Sequence, residues 1–368
     1  MGNLRTHRIG ILSGDYIGPE IIAEAVKVNE VVAEKFGHRC DLEYLEASGQ
    51  AYDKYGEHLP KHTLDRASQC DALLKGPFGG PPEELNHPKW ANVEKGAILP
   101  LRKHFNLYTN LRETRVLPAL EDLSPIKADI VRGVNLLIVR ELTSGIYFGP
   151  KTSRVINGER ESSDLEVYRE SEIRRIALKA FAYAKTRRNK VTLVAKSNVL
   201  TSSVLWREVT LEVAAEHPEV EFDYLHVDNA AMQLVLNPRQ FDVILTNNMF
   251  GDILSDEASV LSGSIGLFPS ASLGDLPFGL YEPIHGSAPS ISGKNLANPI
   301  SAILSVALMW RYSFDSDEAA RAIEEAVSAV LTKGYRTLDL AGASDQGRPT
   351  VGTKEMGDLI VNALREEK

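Results

Sequence analysis

The chain has 368 residues, 43% of them hydrophobic and 25% charged, which is enough for two lobes and rules out a disordered or fibrous protein. A formal charge of −9 removes the broad basic face on which a nucleic-acid binder relies, so arginines that matter must act locally. The two cysteines, Cys40 and Cys70, stand in no CxxC or Cys/His spacing; this excludes a disulfide framework and a zinc site and fits a reducing cytoplasm.

The N-terminus lacks a signal-peptide core, and no apolar stretch approaches the roughly 20 residues needed to span a bilayer. A cytoplasmic protein with neither membrane nor nucleic-acid partners is expected. Met1-Gly2 with Thr6 meets the loose myristoylation pattern, a match too short to alter that expectation.

In chain order, residues 8–12 read as a strand, followed by a glycine turn and a helix opening at Pro19, where proline suits the first helical position. Strand-like runs recur at 71–74, 134–139, 191–195, 222–227 and 243–245, between helical patterns such as 172–187 and 204–215. That alternation predicts an α/β protein with a largely parallel sheet. The polar, turn-rich stretch 147–164 is expected to project as an arm. Residues 273–298, dense in glycine, proline and serine, read as irregular, and helical periodicity returns at 300–312 and 317–331.

The chemistry gathers at the carboxyl ends of the apolar runs. Run 134–139 leads into Arg140, 191–195 into Lys196 and Asn198, 222–227 into Asp228, and 243–245 into Asn247 and then Asp252. Open α/β sheets bind ligands beyond those ends, so four runs nominate one polar site, although each charge alone also reads as a solvated loop residue. Asp252 and Asp256 are four apart in a helical pattern and share a face. A hard divalent cation would relieve their repulsion, with Asp228 as a third donor; two exposed charges on a helix dipole is the other reading. Arg102, Arg112 and Arg140 can each grip a carboxylate with two parallel hydrogen bonds, or lie on the surface. Tyr147 and Lys196 are candidate acid and base, a lysine among cations being the better proton acceptor. The loops 14–19 and 285–299 are shaped for a ligand, yet no GxGxxG is present, which argues against the common Rossmann mode.

These residues resemble the isocitrate and isopropylmalate dehydrogenase family over nearly the whole chain. The resemblance is carried by 94–103 (EKGAILPLRK), 139–149 (VRELTSGIYFG), Lys196-Ser197-Asn198, 228–232 (DNAAM), 248–256 (NMFGDILSD), and 281–289 (YEPIHGSAP) with Asn298-Pro299. It implies two lobes sharing a long mixed, largely parallel sheet, the first lobe made of 1–107 plus 264–368 and the second of 108–263. It implies that Arg102, Arg112 and Arg140 hold the malate carboxylates, that Tyr147 is the acid and Lys196 the base, and that Glu94, Ile98 and Leu99 wall the alkyl branch. Asp252 and Asp256, with Asp228 of the partner subunit, would bind Mg2+ or Mn2+. Lys196 and Asn198 would also reach in from the partner, making a homodimer with shared sites. NAD would lie along Ile17, His285, Gly286, Ser287, Ala288, Pro289, Ser290, Ile291 and Asn298.

The implied reaction is oxidative decarboxylation of (2R,3S)-3-isopropylmalate to 2-oxo-4-methylpentanoate with reduction of NAD, a step of leucine biosynthesis. A relative acting on another 2-alkylmalate in a specialised pathway, a catalytically silent structural or regulatory relative, and a metal-dependent hydrolase are the competing readings. An apolar wall beside an anion rejects a third carboxylate, which favours an alkylmalate over isocitrate. Two positions depart from the family pattern: Tyr16 stands where glycine is usual, and Ser290 where aspartate is usual in NAD-using members. The neutral Ser290 implies NAD preference with looser affinity and weaker discrimination against NADP.

Overall fold

A computed structural model describes residues 5–342, 347 and 349–366; Met1 and Gly2 of the myristoylation pattern lie outside them. The chain divides into two compact units. One comprises Met1–Leu107, Leu117–Pro125 and Ser262–Lys368, the other Tyr108–Val116 and Ile126–Leu261. The short excursion Leu117–Pro125 therefore belongs with the first unit, where the fully buried Arg336 donates from Nη2 to the Ala119 carbonyl at 2.8 Å.

The first unit is built on five strands in the order His38–Tyr44, Arg5–Leu12, Ala72–Lys75, Gly279–Pro283 and Pro269–Leu273. All neighbours run parallel except the last pair. Arg5–Leu12 is apolar and buried toward its carboxyl end, and Ala72–Lys75 is buried throughout and apolar up to its last residue, Lys75, as parallel strands covered on both faces tend to be. Helix Ile300–Tyr312 packs on Gly279–Pro283 and Pro269–Leu273 and buries ten of its 13 residues, so it reads as apolar all round. Helices Gly18–Lys35 and Asp317–Thr332 pack on it and on each other, and Thr353–Glu366 packs on those two.

The second unit repeats the plan in the order Thr109–Arg115, Asn135–Glu141, Val243–Thr246, Lys190–Ala195 and Glu221–His226, again parallel but for the Thr109–Arg115 pairing. Its core joins Leu136, Ile138, Val194 and Ile244 of the strands to Leu234 of helix Val227–Leu236 and Leu254 of helix Asn248–Ser259. The mixed, mostly parallel α/β architecture anticipated above holds in both units.

Residues 273–298 are not irregular throughout: Gly279–Pro283 is a buried strand paired on both edges. Its Gly, Pro and Glu residues hid it. Thr109–Arg115, His38–Tyr44 and Pro269–Leu273 were likewise masked by charged or small side chains. Within 147–164, Lys151–Ile156 and Glu159–Asp164 form an antiparallel hairpin exposed along its whole length. Asn157 and Gly158 both have positive φ (51° and 83°), the turn that suits strand twist. Among the described residues no helix is long and apolar enough to cross a membrane.

Candidate active site

In the second unit the strand ends deliver a cluster centred on Asp252. Arg140 closes the buried end of Asn135–Glu141, and its Nη1 donates to Asp252 Oδ1 at 2.5 Å. Arg112, from the antiparallel strand Thr109–Arg115, donates from Nη2 to the same oxygen at 3.4 Å and from Nη1 to Asp256 Oδ1 at 3.2 Å. Its Nη1 also reaches Ser255 Oγ at 2.7 Å, and its Nε is held by Asn110 Oδ1 at 2.9 Å. The phenol of Tyr147 donates to the other Asp252 oxygen at 2.9 Å. Burial first, and then the neighbouring Asp252 charge, push the Tyr147 pKa above its ordinary value, so the phenol keeps its proton. Helix Asn248–Ser259 presents Asp252 and Asp256 one turn apart; its start is capped by Asn247, whose side chain accepts from the Phe250 N–H. Side-chain exposure is 36% at Asp252 and 61% at Asp256, so both can meet a ligand.

Lys196 and Asp228, from the ends of two other strands of this unit, form a second pair: Lys196 Nζ donates to Asp228 Oδ1 at 2.5 Å. That bond holds the Asp228 carboxyl below the usual range. Asn198 is exposed beside it. Among the described residues no three His, Cys, Asp or Glu side chains converge as a metal-binding group. Within one chain, then, Asp228 stands with Lys196 and is not a third donor beside Asp252 and Asp256. The two carboxylates that do share a face offer hard oxygen donors of the kind that suits Mg2+ or Mn2+.

The first unit holds the other expected residues. Glu94–Ile98 is a π-helical turn closed by the Leu99 N–H on the Glu94 carbonyl, and it runs into helix Leu99–His104. Glu94 is exposed, while Ile98 and Leu99 are half-buried. Arg102 points to Glu282, Nη2 to Oε1 at 3.5 Å, and Glu282 Oε2 is gripped at 2.6 Å by Lys75, whose side chain is 2% exposed. Sequence reasoning missed both Lys75 and Glu282, although each stands at or beside the carboxyl end of a buried strand, the signal that found the others.

Three loops expected to meet a cofactor are stitched together. The Ile17 N–H donates to the Ser287 carbonyl at 3.1 Å, Ser287 Oγ to the Gly79 carbonyl at 2.9 Å, and the Asp15 N–H to the Pro77 carbonyl at 2.8 Å. Buried Asp15, also missed, collects Ser48 Oγ and the N–H groups of Gly49 and Gly79. Gly286 and Ser290 are exposed; Ala288 and Pro289 are half-buried. Pro289–Ile291 is one helical turn, entered through Ala288 at φ 41°. Lys294 Nζ bonds the Ser290 carbonyl at 2.8 Å, setting a cation beside the neutral serine. Burial drives the His285 pKa down and favours the neutral ring. The Asn298 side chain is engaged within the protein, its Nδ2 donating to Asp339 Oδ2 at 3.0 Å and its Oδ1 accepting the Ile300 N–H at 3.0 Å, which leaves one amide hydrogen and one lone pair uncommitted by these two bonds. Tyr16 holds the left-handed φ of 50° that glycine would take without strain, with its ring 5.7 Å from Trp90.

The α/β frame is shared with dehydrogenases of known structure. Isocitrate dehydrogenase from Methylococcus capsulatus superposes with a TM-score of 0.86 at 36% identity, covering 98% of this chain and 99% of that one. A β-decarboxylating dehydrogenase from Thermococcus kodakarensis gives 0.79 at 35% identity over 98% and 96%. The profile of the isocitrate/isopropylmalate dehydrogenase family matches residues 8–360, and the chain belongs to that family. Its relatives include the 3-isopropylmalate dehydrogenases of Salmonella typhi, 50% identical over 98% of this chain and 99% of the relative, and of Carboxydothermus hydrogenoformans, 52% identical over 97% and 94%.

Proposed function

We propose that the protein is an NAD-dependent dehydrogenase that oxidises and decarboxylates 3-isopropylmalate to 2-oxo-4-methylpentanoate in leucine biosynthesis, with Mg2+ or Mn2+, in the cytoplasm and as a homodimer. The observation that carries the reading is the meeting of two guanidinium groups and a protonated phenol on Asp252. The identity of about half the residues with 3-isopropylmalate dehydrogenases, end to end, supports the choice of substrate.

Arg112 and Arg140, held rigidly in strands, would bind the malate carboxylates in place of part of their present bonding to Asp252 and Asp256, and Arg102 would add a third grip. Asp252 and Asp256 would hold the divalent ion, which when bound supplies the positive charge that draws electrons from the substrate oxygen as carbon dioxide leaves. Tyr147, protonated and aimed at Asp252, is placed to donate a proton once the carboxylate has gone. Lys196 would accept the hydroxyl proton. It and Asp228 stand apart from the Asp252 cluster, which supports a site completed by a second chain. Exposed apolar side chains on helices Val227–Leu236 and Asn248–Ser259, namely Met232, Val235, Leu236 and Ile253, together with the bare hairpin, give that chain a surface to cover. Ile98 and Leu99 would line the alkyl branch, where a third carboxylate would be buried without a partner.

Appearance of NADH on adding 3-isopropylmalate and Mg2+ or Mn2+ tests the reading. A panel of other alkylmalates, isocitrate and tartrate should react at least about tenfold less efficiently, since one misplaced methylene or carboxylate costs roughly 1–3 kcal/mol. Preference for another member of the panel would reassign the substrate.

A further inference from the structure

We infer that Asn248 is a positioning residue that holds Arg140 and the loop of Tyr147 in one arrangement; the inference deepens the reading above and rests on it. Asn248 is the first residue of helix Asn248–Ser259 and is 1% exposed. Its Oδ1 accepts from Arg140 Nε at 3.2 Å and Nη2 at 2.8 Å, and its Nδ2 donates to the Ser144 carbonyl at 3.1 Å. The amide cannot be turned round without aiming an NH2 group at a guanidinium and an oxygen at a carbonyl, so its neighbours fix its orientation. Its own N–H is held by Tyr168 Oη at 3.0 Å.

Each contact leads to a reacting group. Arg140, anchored through two nitrogens, is left with Nη1 directed at Asp252. The stem of Arg140 lies against helix residue Gly251, where a Cβ would meet Arg140 Cγ at 2.6 Å. On the other side, Ser144 enters the turn Gly145–Tyr147 that carries the phenol. Gly145 has φ 76°, and a Cβ there would come within 2.3 Å of Tyr168 Oη, so the turn has one way through. Glu141, wholly buried, accepts the Thr143 and Ser144 N–H groups, both at 2.9 Å, while Asn248 takes the Ser144 carbonyl. The loop is therefore braced from both faces, and the same amide braces Arg140.

Only a neutral group with both an acceptor and a donor serves this junction. A carboxylate would still accept from Arg140 but would face the Ser144 carbonyl oxygen without a proton, and it would offset the charge with which Arg140 attracts substrate. An apolar side chain would strand buried N–H groups and a carbonyl.

Steady-state kinetics of the full-length, metal- and NAD-supplied enzyme test this with Asn248→Ala, Asn248→Asp, Tyr147→Phe and the Asn248→Ala/Tyr147→Phe double variant. Asn248→Ala is expected to lower kcat about 10- to 100-fold, and that kcat loss to shrink to less than about threefold once Tyr147 is already phenylalanine, because its effect on kcat runs through the phenol while its effect through Arg140 is read in the alkylmalate KM. Asn248→Asp is expected to raise the alkylmalate KM at least about tenfold with the NAD KM nearly unchanged. Wild-type kinetics in Asn248→Ala, or a fully multiplicative loss in the double variant, overturns the inference. Should the alanine variant fail to fold, Asn248→Asp decides alone: an unchanged alkylmalate KM overturns it. A wild-type enzyme inactive on every alkylmalate would instead bring down the functional reading.

Discussion

Two guanidinium–carboxylate assemblies, one in each unit, look alike in composition and differ in what they leave open. In the second unit Asp252 takes Arg140, Arg112 and Tyr147, yet its side chain is 36% exposed and its partner Asp256 more so. In the first unit Glu282 takes Lys75 and Arg102, but the pair is closed: Glu282 is 10% exposed and Lys75 2%, with Lys75 Nζ also on the Gly76 carbonyl and over the Phe78 ring. A half-open carboxylate can exchange protein partners for ligand, whereas a sealed one fixes geometry. On the function proposed above, the Asp252 assembly suits exchange with a ligand and the Glu282 assembly suits holding Arg102 in place.

The sharpest way to break that contrast is Asp252→Asn. An amide lacks the charge that holds a hard cation and is a poorer acceptor for two guanidinium groups, so turnover should fall roughly 1000-fold and the metal requirement should rise steeply. Melting temperature should move little. Near-normal turnover at limiting Mg2+ or Mn2+ would remove Asp252 from the site.

Lys75→Met should show the reverse balance. It takes the 2.6 Å ammonium partner from buried Glu282, and should cost about 2–3 kcal/mol of stability, somewhat under the range for wholly breaking a buried pair because the longer Arg102 contact remains. Replacing Glu282 by leucine as well should restore most of that loss in denaturant unfolding. A single variant as stable as wild type would mean that the pair is not sealed.

Lys196→Met should lower kcat about 100-fold, the loss expected for a positioned base, with NAD binding retained. Mixing it with Asp252→Asn sharpens the comparison further. If each site draws Lys196 from one chain and Asp252 from the other, a mixed dimer has one site with both defects and one with neither, and activity returns. Verified heterodimers without recovery would place the two residues in separate functions.

A second closed cluster of the first unit gives a pH test. His7 Nε2 lies 2.9 Å from His38 Nδ1, with the His7 ring stacked 3.9 Å from Phe314. Burial, then the neighbouring His38, push the His7 pKa from 6.5 down to about 4. The folded protein thus favours the neutral ring: this contribution is complete above pH 6.5 and is lost as pH falls from there toward 4. Thermal melts across that window should show a decline that His7→Phe reduces; an unchanged slope would contradict it.

The smallest effect concerns Ser290. In the cofactor site expected there, serine would offer the ribose one neutral hydrogen bond, weaker than a charge-assisted one by about 1 kcal/mol, and the nearby Lys294 ammonium would not repel a 2′-phosphate. Ser290→Asp should lower the NAD KM about fivefold and suppress NADP use, leaving the alkylmalate KM alone. An aspartate variant no more selective for NAD would assign the choice to another group.

Much of this was legible because buried parallel strands read as unbroken apolar runs, and the residue ending each run is a site candidate. Arg140, Lys196 and Asp228 were found that way, and Asp252 with Asp256 by their spacing along a helix. Pro269–Leu273 and Gly279–Pro283 escaped because serine, glycine and proline dominate them, their burial coming from helix Ile300–Tyr312 and not from their own side chains. Lys75 and Glu282 carried the strand-end signal and were passed over, but that they meet each other, like the role of Asn248, could not be read from the sequence for another reason. Their partners are remote in the chain, 104 residues from Asn248 to Ser144 and 108 to Arg140, and no local period announces such a meeting.

The most direct test of the account is a stoichiometric one: purified protein supplied with 3-isopropylmalate, NAD and Mg2+ or Mn2+, with NADH and carbon dioxide measured together. Equal yields of the two, with 2-oxo-4-methylpentanoate as the organic product and neither formed without metal, are predicted. NADH without carbon dioxide, hydrolysis without NADH, or no reaction of any alkylmalate would contradict it.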